Sequence, residues 1–75
     1  MWRSRQKHPI PDRQGIYVVA RFIEDEMVAW SNNYAFYEGG WTPNTGGQEY
    51  IVFTHWMPYS EYRRIMETHE REGNE

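Results

Sequence analysis

The chain has no cysteine. Disulfide staples and thiolate metal sites are therefore excluded, and a 75-residue scaffold without staples must rely on dense apolar packing or on oligomerisation. No apolar run approaches the roughly 20 residues of a membrane-spanning helix. The polar opening "MWRSRQKHP" lacks the apolar stretch of a signal peptide. A cytoplasmic protein, a monomer or small homo-oligomer with no membrane association, is the expectation. There is no internal repeat, low-complexity tract or linker, so residues 1–75 are expected to form one domain. The net charge of −3 is too small to set up a strong global field.

Aromatic residues are plentiful, 17% of the chain with four Trp and six Tyr. Large rings fill a thin core with few residues, and they also anchor interfaces. Charge is unevenly placed. Arg3, Arg5, Lys7 and Arg13 crowd the N-terminus, and Glu24, Asp25 and Glu26 form an acidic knot.

Residues 1–14 read as an extended basic lead-in, with Pro9 and Pro11 excluding helix before them. The run "GIYVVARFI" (15–23) is rich in β-branched and aromatic residues and predicts a strand. Ile16, Val18, Ala20 and Phe22 form its expected core face, because the alternate face carries Arg21. "EDE" predicts a charged turn guarding an edge. "MVAWSNNYAFYEGG" predicts one long bulged strand or two short ones, with Val28, Trp30, Tyr34 and Phe36 of like parity, ending in a Gly39-Gly40 hairpin turn. "WTP" begins a short edge strand limited by Pro43, and "NTGGQ" a flexible loop. "EYIVFTHW" predicts the last strand, over 50–56, with His55 on the face of Ile51 and Phe53 and Pro58 as a hard stop. Ser60 suits a helix N-cap, and a helix over 60–72 would pack Tyr62, Ile65, Met66 and His69 on the sheet as one stripe. Arg63–Glu67 and Glu67–Arg71 would pair on its outer face. The expected fold is thus α+β: a small antiparallel sheet of three or four strands, built from 15–58, with one C-terminal helix packed on it.

Three histidines, His8, His55 and His69, are the general-base candidates. None has a second ligand at metal-binding spacing or an acid at a familiar catalytic one. "YEGG" and "NTGGQ" lack the Lys-Ser/Thr of a phosphate loop. His55 is therefore read with Trp41, Trp56 and Pro58 as structural, with no catalytic residue, metal or cofactor. The alternation of aromatic and polar residues in "WSNNYAFYEGGW", poor in basic residues, suits protein binding better than base stacking. Trp30, Tyr34 and Tyr37, with the acids Glu24, Asp25 and Glu26, are the candidate partner-binding residues.

The segments Trp2-Arg3-Ser4, Ile10-Pro11, "IYVVARF", Gly40-Trp41 and above all Thr54-His55-Trp56-Met57-Pro58 resemble the small phage and prophage family known as domain of unknown function 551. The resemblance spans Trp2 to Pro58. The chain departs from that pattern in having Ile, not Leu, before Pro11, and a charged C-terminal helix where many members end in a short proline-rich tail. The resemblance implies a mobile-element origin and expression in the cytoplasm of a bacterial host, and implies no reaction. It makes a non-enzymatic accessory protein that binds a host protein, such as an inhibitor of CRISPR interference or other antiviral defence, the leading expectation. A nucleic-acid-binding module using Arg3, Arg5, Lys7 and Arg13 is the alternative. A small enzyme centred on His55 is the third reading.

Overall fold

A computed structural model describes residues 1–44 and 50–73, with helix side chains as far as residue 68. Among these residues five strands form one antiparallel sheet: β1 (Arg3–Ser4), β2 (Gly15–Ile23), β3 (Glu26–Tyr37), β4 (Gly40–Pro43) and β5 (His55–Pro58), followed by the helix α1 (Tyr59–Gly73). The strand order is β1-β5-β2-β3-β4. The fold is α+β as expected. The strand count is higher because Arg3 and Ser4 do not lie in a loose lead-in; they pair with Trp56 and His55 at the sheet edge.

The two faces of β2 do not divide as its composition suggests. Tyr17 and Val19, on the face expected to be secondary, join Tyr34, Phe36, Phe53 and Trp56 in the buried cluster, with Trp41 and Ile51 packed against it. Trp41 is its hub, with ring centroids of Tyr17, Phe36, Phe53 and Trp56 at 5.5, 5.1, 5.0 and 5.8 Å. The chain contains no leucine, so edge-to-face ring packing takes the place of the usual aliphatic core. Val18, Ala20, Ala35 and Met57 are buried on the opposite face, where α1 packs on β2 and β5.

β3 is one strand, irregular twice. Tyr17 faces Tyr34 while Val19 faces Ser31, so β3 carries an extra residue at Asn32–Asn33. Such a bulge inverts the alternation. Trp30, paired with Ala20, consequently lies on the helix side, whereas Tyr34 and Phe36 point into the aromatic core. The expected like parity of Trp30 and Tyr34 fails for this reason.

The last strand is displaced from its expected position. Residues 50–53 are not in the sheet. Thr54 ends the β2–β5 ladder, its N–H donating to the Ala20 carbonyl at 2.9 Å and its Oγ1 accepting from the Phe22 N–H at 3.0 Å. The segment before it crosses the aromatic face, where the Ile51 N–H donates to the Tyr34 hydroxyl at 2.5 Å. Phe53 thereby enters the core, while His55 stands on the other face, paired with Ala20 and 4.9 Å from the Phe22 ring. The expectation that His55 shares a face with Ile51 and Phe53 is overturned by that bend. Pro58 ends the strand, as expected of it, but from within the ladder: it is the last residue of β5, opposite Tyr17. β1 reaches only His55 and Trp56, so Pro58 has a neighbouring strand on one side alone, where a missing N–H is tolerated.

Two tight hairpin turns set the ends of β3. Glu24 and Asp25 have φ of 49° and 69°, and Glu38 and Gly39 have φ of 50° and 80°. Positive φ at both central positions is the requirement of a twist-matched two-residue turn. The second turn is thus Glu38-Gly39, and Gly40 already pairs with Tyr37 in β4. The expected loop lies, beyond Asn44, outside the described residues. α1 begins at Tyr59 with no intervening loop, so Ser60, the expected cap, lies inside the helix as its second residue.

Candidate functional site

The absence of a loop between β5 and α1 decides which part of the helix can touch the sheet. Only the first turns lie over it. A helix of 15 residues extends about 22 Å, and the molecule measures 42 × 27 × 26 Å. Tyr62 reaches back to Trp30, ring centroids 6.0 Å apart, and stacks near Tyr59 at 5.9 Å. Three and four residues further on, Ile65 and Met66 are 52% and 40% exposed. The stripe expected to pack on the sheet therefore docks through Tyr62 and is otherwise uncovered; the side chain of His69 lies outside the described residues.

Trp30 is itself 50% exposed. Met27, exposed as well, shares its side of the β2–β3 ribbon, being paired with Phe22 as Trp30 is with Ala20. Trp30, Met27, Tyr62, Ile65 and Met66 thus make an apolar surface where the outer half of the ribbon meets the helix. Soluble chains seldom leave such side chains grouped in water unless the group is a contact surface. Of the candidate binding residues, Trp30 belongs to this surface. Tyr34 is buried in the core, which removes it from any interface, and Tyr37 is exposed beside the other turn, opposite Gly40. Glu24, Asp25 and Glu26 are exposed at the tip of the ribbon that carries Met27 and Trp30. Sequence reading places Tyr62, Ile65 and Met66 in a packed stripe; Tyr62 is half-buried against Trp30, and only Ile65 and Met66 stand uncovered on the helix that follows Pro58 without a loop.

A second concavity lies across the sheet edge. Ser4, Arg5, Gln6, Phe22, Glu24, Asp25, Phe53, Thr54 and His55 line an open groove of about 580 Å³. His55 Nδ1 is 2.7 Å from Thr54 Oγ1. One ring nitrogen is thus held by a hydroxyl, and among the described residues no carboxylate orients the imidazole as an acid–base histidine is usually oriented. Among the described residues no three His, Asp or Glu side chains gather closely enough to hold a metal ion.

The basic N-terminal residues do not form a free arm. Arg3 pairs with Glu61 at 2.7 Å and stands 5.3 Å from the Trp56 ring centroid. Arg5 lies over Phe53 at 4.3 Å and donates to its carbonyl at 3.4 Å. Lys7 and Arg13 are exposed. Two of the four cations are therefore folded onto the protein's own rings. The residues read as structural lie in the sheet: Trp56 is buried and donates its indole N–H to the His8 carbonyl at 2.8 Å, and Trp41 sits half-buried at the core's centre.

The terminal amino group donates to Glu61 at 2.8 Å. That bond, together with the bond and charge from Arg3, holds the Glu61 carboxyl below its ordinary range. The Tyr17 hydroxyl is displaced upward by burial and by the Asp12 carboxylate. Among the described residues no helix is long and apolar enough to cross a membrane. No family model, no curated protein and no solved structure matches this chain.

Proposed function

We propose that this chain works by binding another protein, and that Trp30, Met27, Tyr62, Ile65 and Met66 form the surface it uses. The observation that carries the reading is the exposure of Ile65 and Met66 on a helix whose Tyr62 already touches an exposed Trp30. Trp and Tyr at the centre of an apolar patch are the usual energetic anchors of an interface. A 15-residue helix supported only at its start is marginal alone in water, so a partner laid along the stripe would stabilise the helix as it binds. The resemblance carried by Thr54–Pro58 supports a phage accessory protein acting in a bacterial cytoplasm. A host protein is then the partner, and antiviral defence such as CRISPR interference the process it would block. The commitment of Arg3 and Arg5 to Glu61, Trp56 and Phe53 weighs against the nucleic-acid reading, since phosphate binding needs free cations.

The test is affinity capture from bacterial lysate with wild type, Trp30→Ala, Met66→Ser and His55→Gln in parallel, each checked by circular dichroism and thermal melting. The proposal expects a partner captured by wild type and His55→Gln and lost, by tenfold or more, with the other two. Equal capture by folded Trp30→Ala would remove the surface from consideration. Loss in folded His55→Gln alone would move the site to the groove and revive the enzyme reading.

A further inference from the structure

The apolar surface has a charged border on one side. Glu24 and Asp25 form the turn that closes the β2–β3 ribbon, and Glu26, paired with Ile23, directly precedes Met27. All three carboxylates are exposed, and among the described residues none makes an ion pair. Arg5 lines the same groove as Glu24 and Asp25, yet its guanidinium is spent on the Phe53 ring and carbonyl. On the helix, Arg63 is taken by Glu67 at 3.3 Å. The tip therefore presents three exposed carboxylates, none of them ion-paired among the described residues, at the end of the ribbon that carries Trp30, with the exposed Arg21 three residues before the turn on β2.

The turn also fixes where the acids stand. Glu24 and Asp25 both occupy the left-handed region, where Asn-Gly would sit without strain. Here the positive φ values turn the chain back within two residues, so the acids cannot spread into solvent along a flexible loop.

Resting on the binding surface proposed above, we infer that its partner presents a cationic amphipathic helix. Apolar side chains at helical spacing lie on Trp30, Tyr62, Ile65 and Met66, and Lys or Arg beside them meet Glu24, Asp25 and Glu26. The apolar stripe supplies most of the affinity, and the acidic tip sets orientation and partner choice. A helix with acidic flanks would meet like charge at the tip and be rejected.

Two synthetic amphipathic helices test this, identical in their leucine positions, one with lysine and one with glutamate on the polar face. Each is fluorescently labelled and titrated against the full chain by anisotropy at low and high salt. The lysine helix is expected to bind at least about tenfold more tightly, and to weaken by about that factor in the triple variant Glu24→Gln/Asp25→Asn/Glu26→Gln. Asn tolerates the left-handed region, so the triple variant keeps its turn; added salt on wild type gives the same reading without any substitution. Equal binding of the two helices, or a triple variant as tight as wild type, overturns the cationic partner. In that event loss of binding in Trp30→Ala leaves the docking surface standing, whereas unchanged binding in Trp30→Ala removes the surface as well. Binding of neither helix also overturns the inference.

Discussion

Trp41 and Trp56 lie in the same cluster and differ at a single nitrogen. The Trp56 indole N–H reaches the His8 carbonyl at 2.8 Å, while that of Trp41 is buried and, among the described residues, without an acceptor. An unsatisfied buried donor costs about 1–3 kcal/mol. Trp41→Phe removes that donor and keeps a ring for Tyr17, Phe36 and Phe53, so it should change stability by no more than about 1 kcal/mol. Trp56→Phe loses a hydrogen bond and the Arg3 contact, and should cost about 2 kcal/mol. Truncation of either to Ala should cost about 3–5 kcal/mol, most of the stability of so small a domain. Urea melts of the four variants measure the order directly, and a Trp41→Phe loss equal to that of Trp56→Phe would show that the Trp41 N–H is satisfied after all. These two rings were legible in sequence as plugs beside a turn and a proline. The contrast between Trp30 and Tyr34 was not, because it depends on the extra residue at Asn32–Asn33, and a bulge leaves composition unchanged.

Among the elements, β2 and the helix were legible because a β-branched run and a 3.6-residue stripe are local signals. The register of β5 was not. "EYIVFTHW" has the composition of a strand throughout, and what ends the ladder is a tertiary event, the Thr54 hydroxyl accepting from the Phe22 N–H. The β2–β3 turn is the element most open to test. Glu24, at positive φ, carries about 1 kcal/mol or more of strain, while Asp25 beside it is of a residue type that tolerates the left-handed region. Replacing Glu24-Asp25 by Asn-Gly should stabilise the chain by about 1–2 kcal/mol, raising the melting temperature by about 4–8 °C per kcal/mol. The same variant should bind the lysine helix less tightly than wild type. Stability rising while binding falls is the signature of strain retained for a purpose. A melting temperature that stays put would show the turn to be relaxed as it is.

At the scale of the molecule, the radius of gyration of 13.1 Å exceeds the roughly 11 Å of a compact chain this long, because the helix runs beyond the sheet. The sole ion-paired tie among the described residues between the helix start and the sheet edge is Glu61, bonded to Arg3 and the terminal amino group. Its folded-state carboxyl is held below the ordinary value of 4.5. A depressed carboxyl stabilises the fold above its unfolded pKa, and that contribution is lost as pH falls through the folded pKa. Tyr17 acts at the opposite limit. Its hydroxyl is raised above 10.0, so the neutral form is favoured in the fold, and its contribution is present below the unfolded pKa and lost as pH rises through the folded one. Between these limits neither group changes stability with pH, and beyond each limit the group concerned lowers it. Glu61 is partly exposed, so after solvent screening its share is small, about 0.2–1 kcal/mol. Glu61→Gln should flatten the acid limb of a plot of melting temperature against pH below about 4.5, and leave the alkaline limb alone. Tyr17→Phe should do the reverse, at the cost of the bond its hydroxyl donates to the Arg13 carbonyl at 2.5 Å. If Glu61→Gln leaves the acid limb as steep as in wild type, the acid sensitivity belongs to other carboxylates and the helix start is held by packing alone.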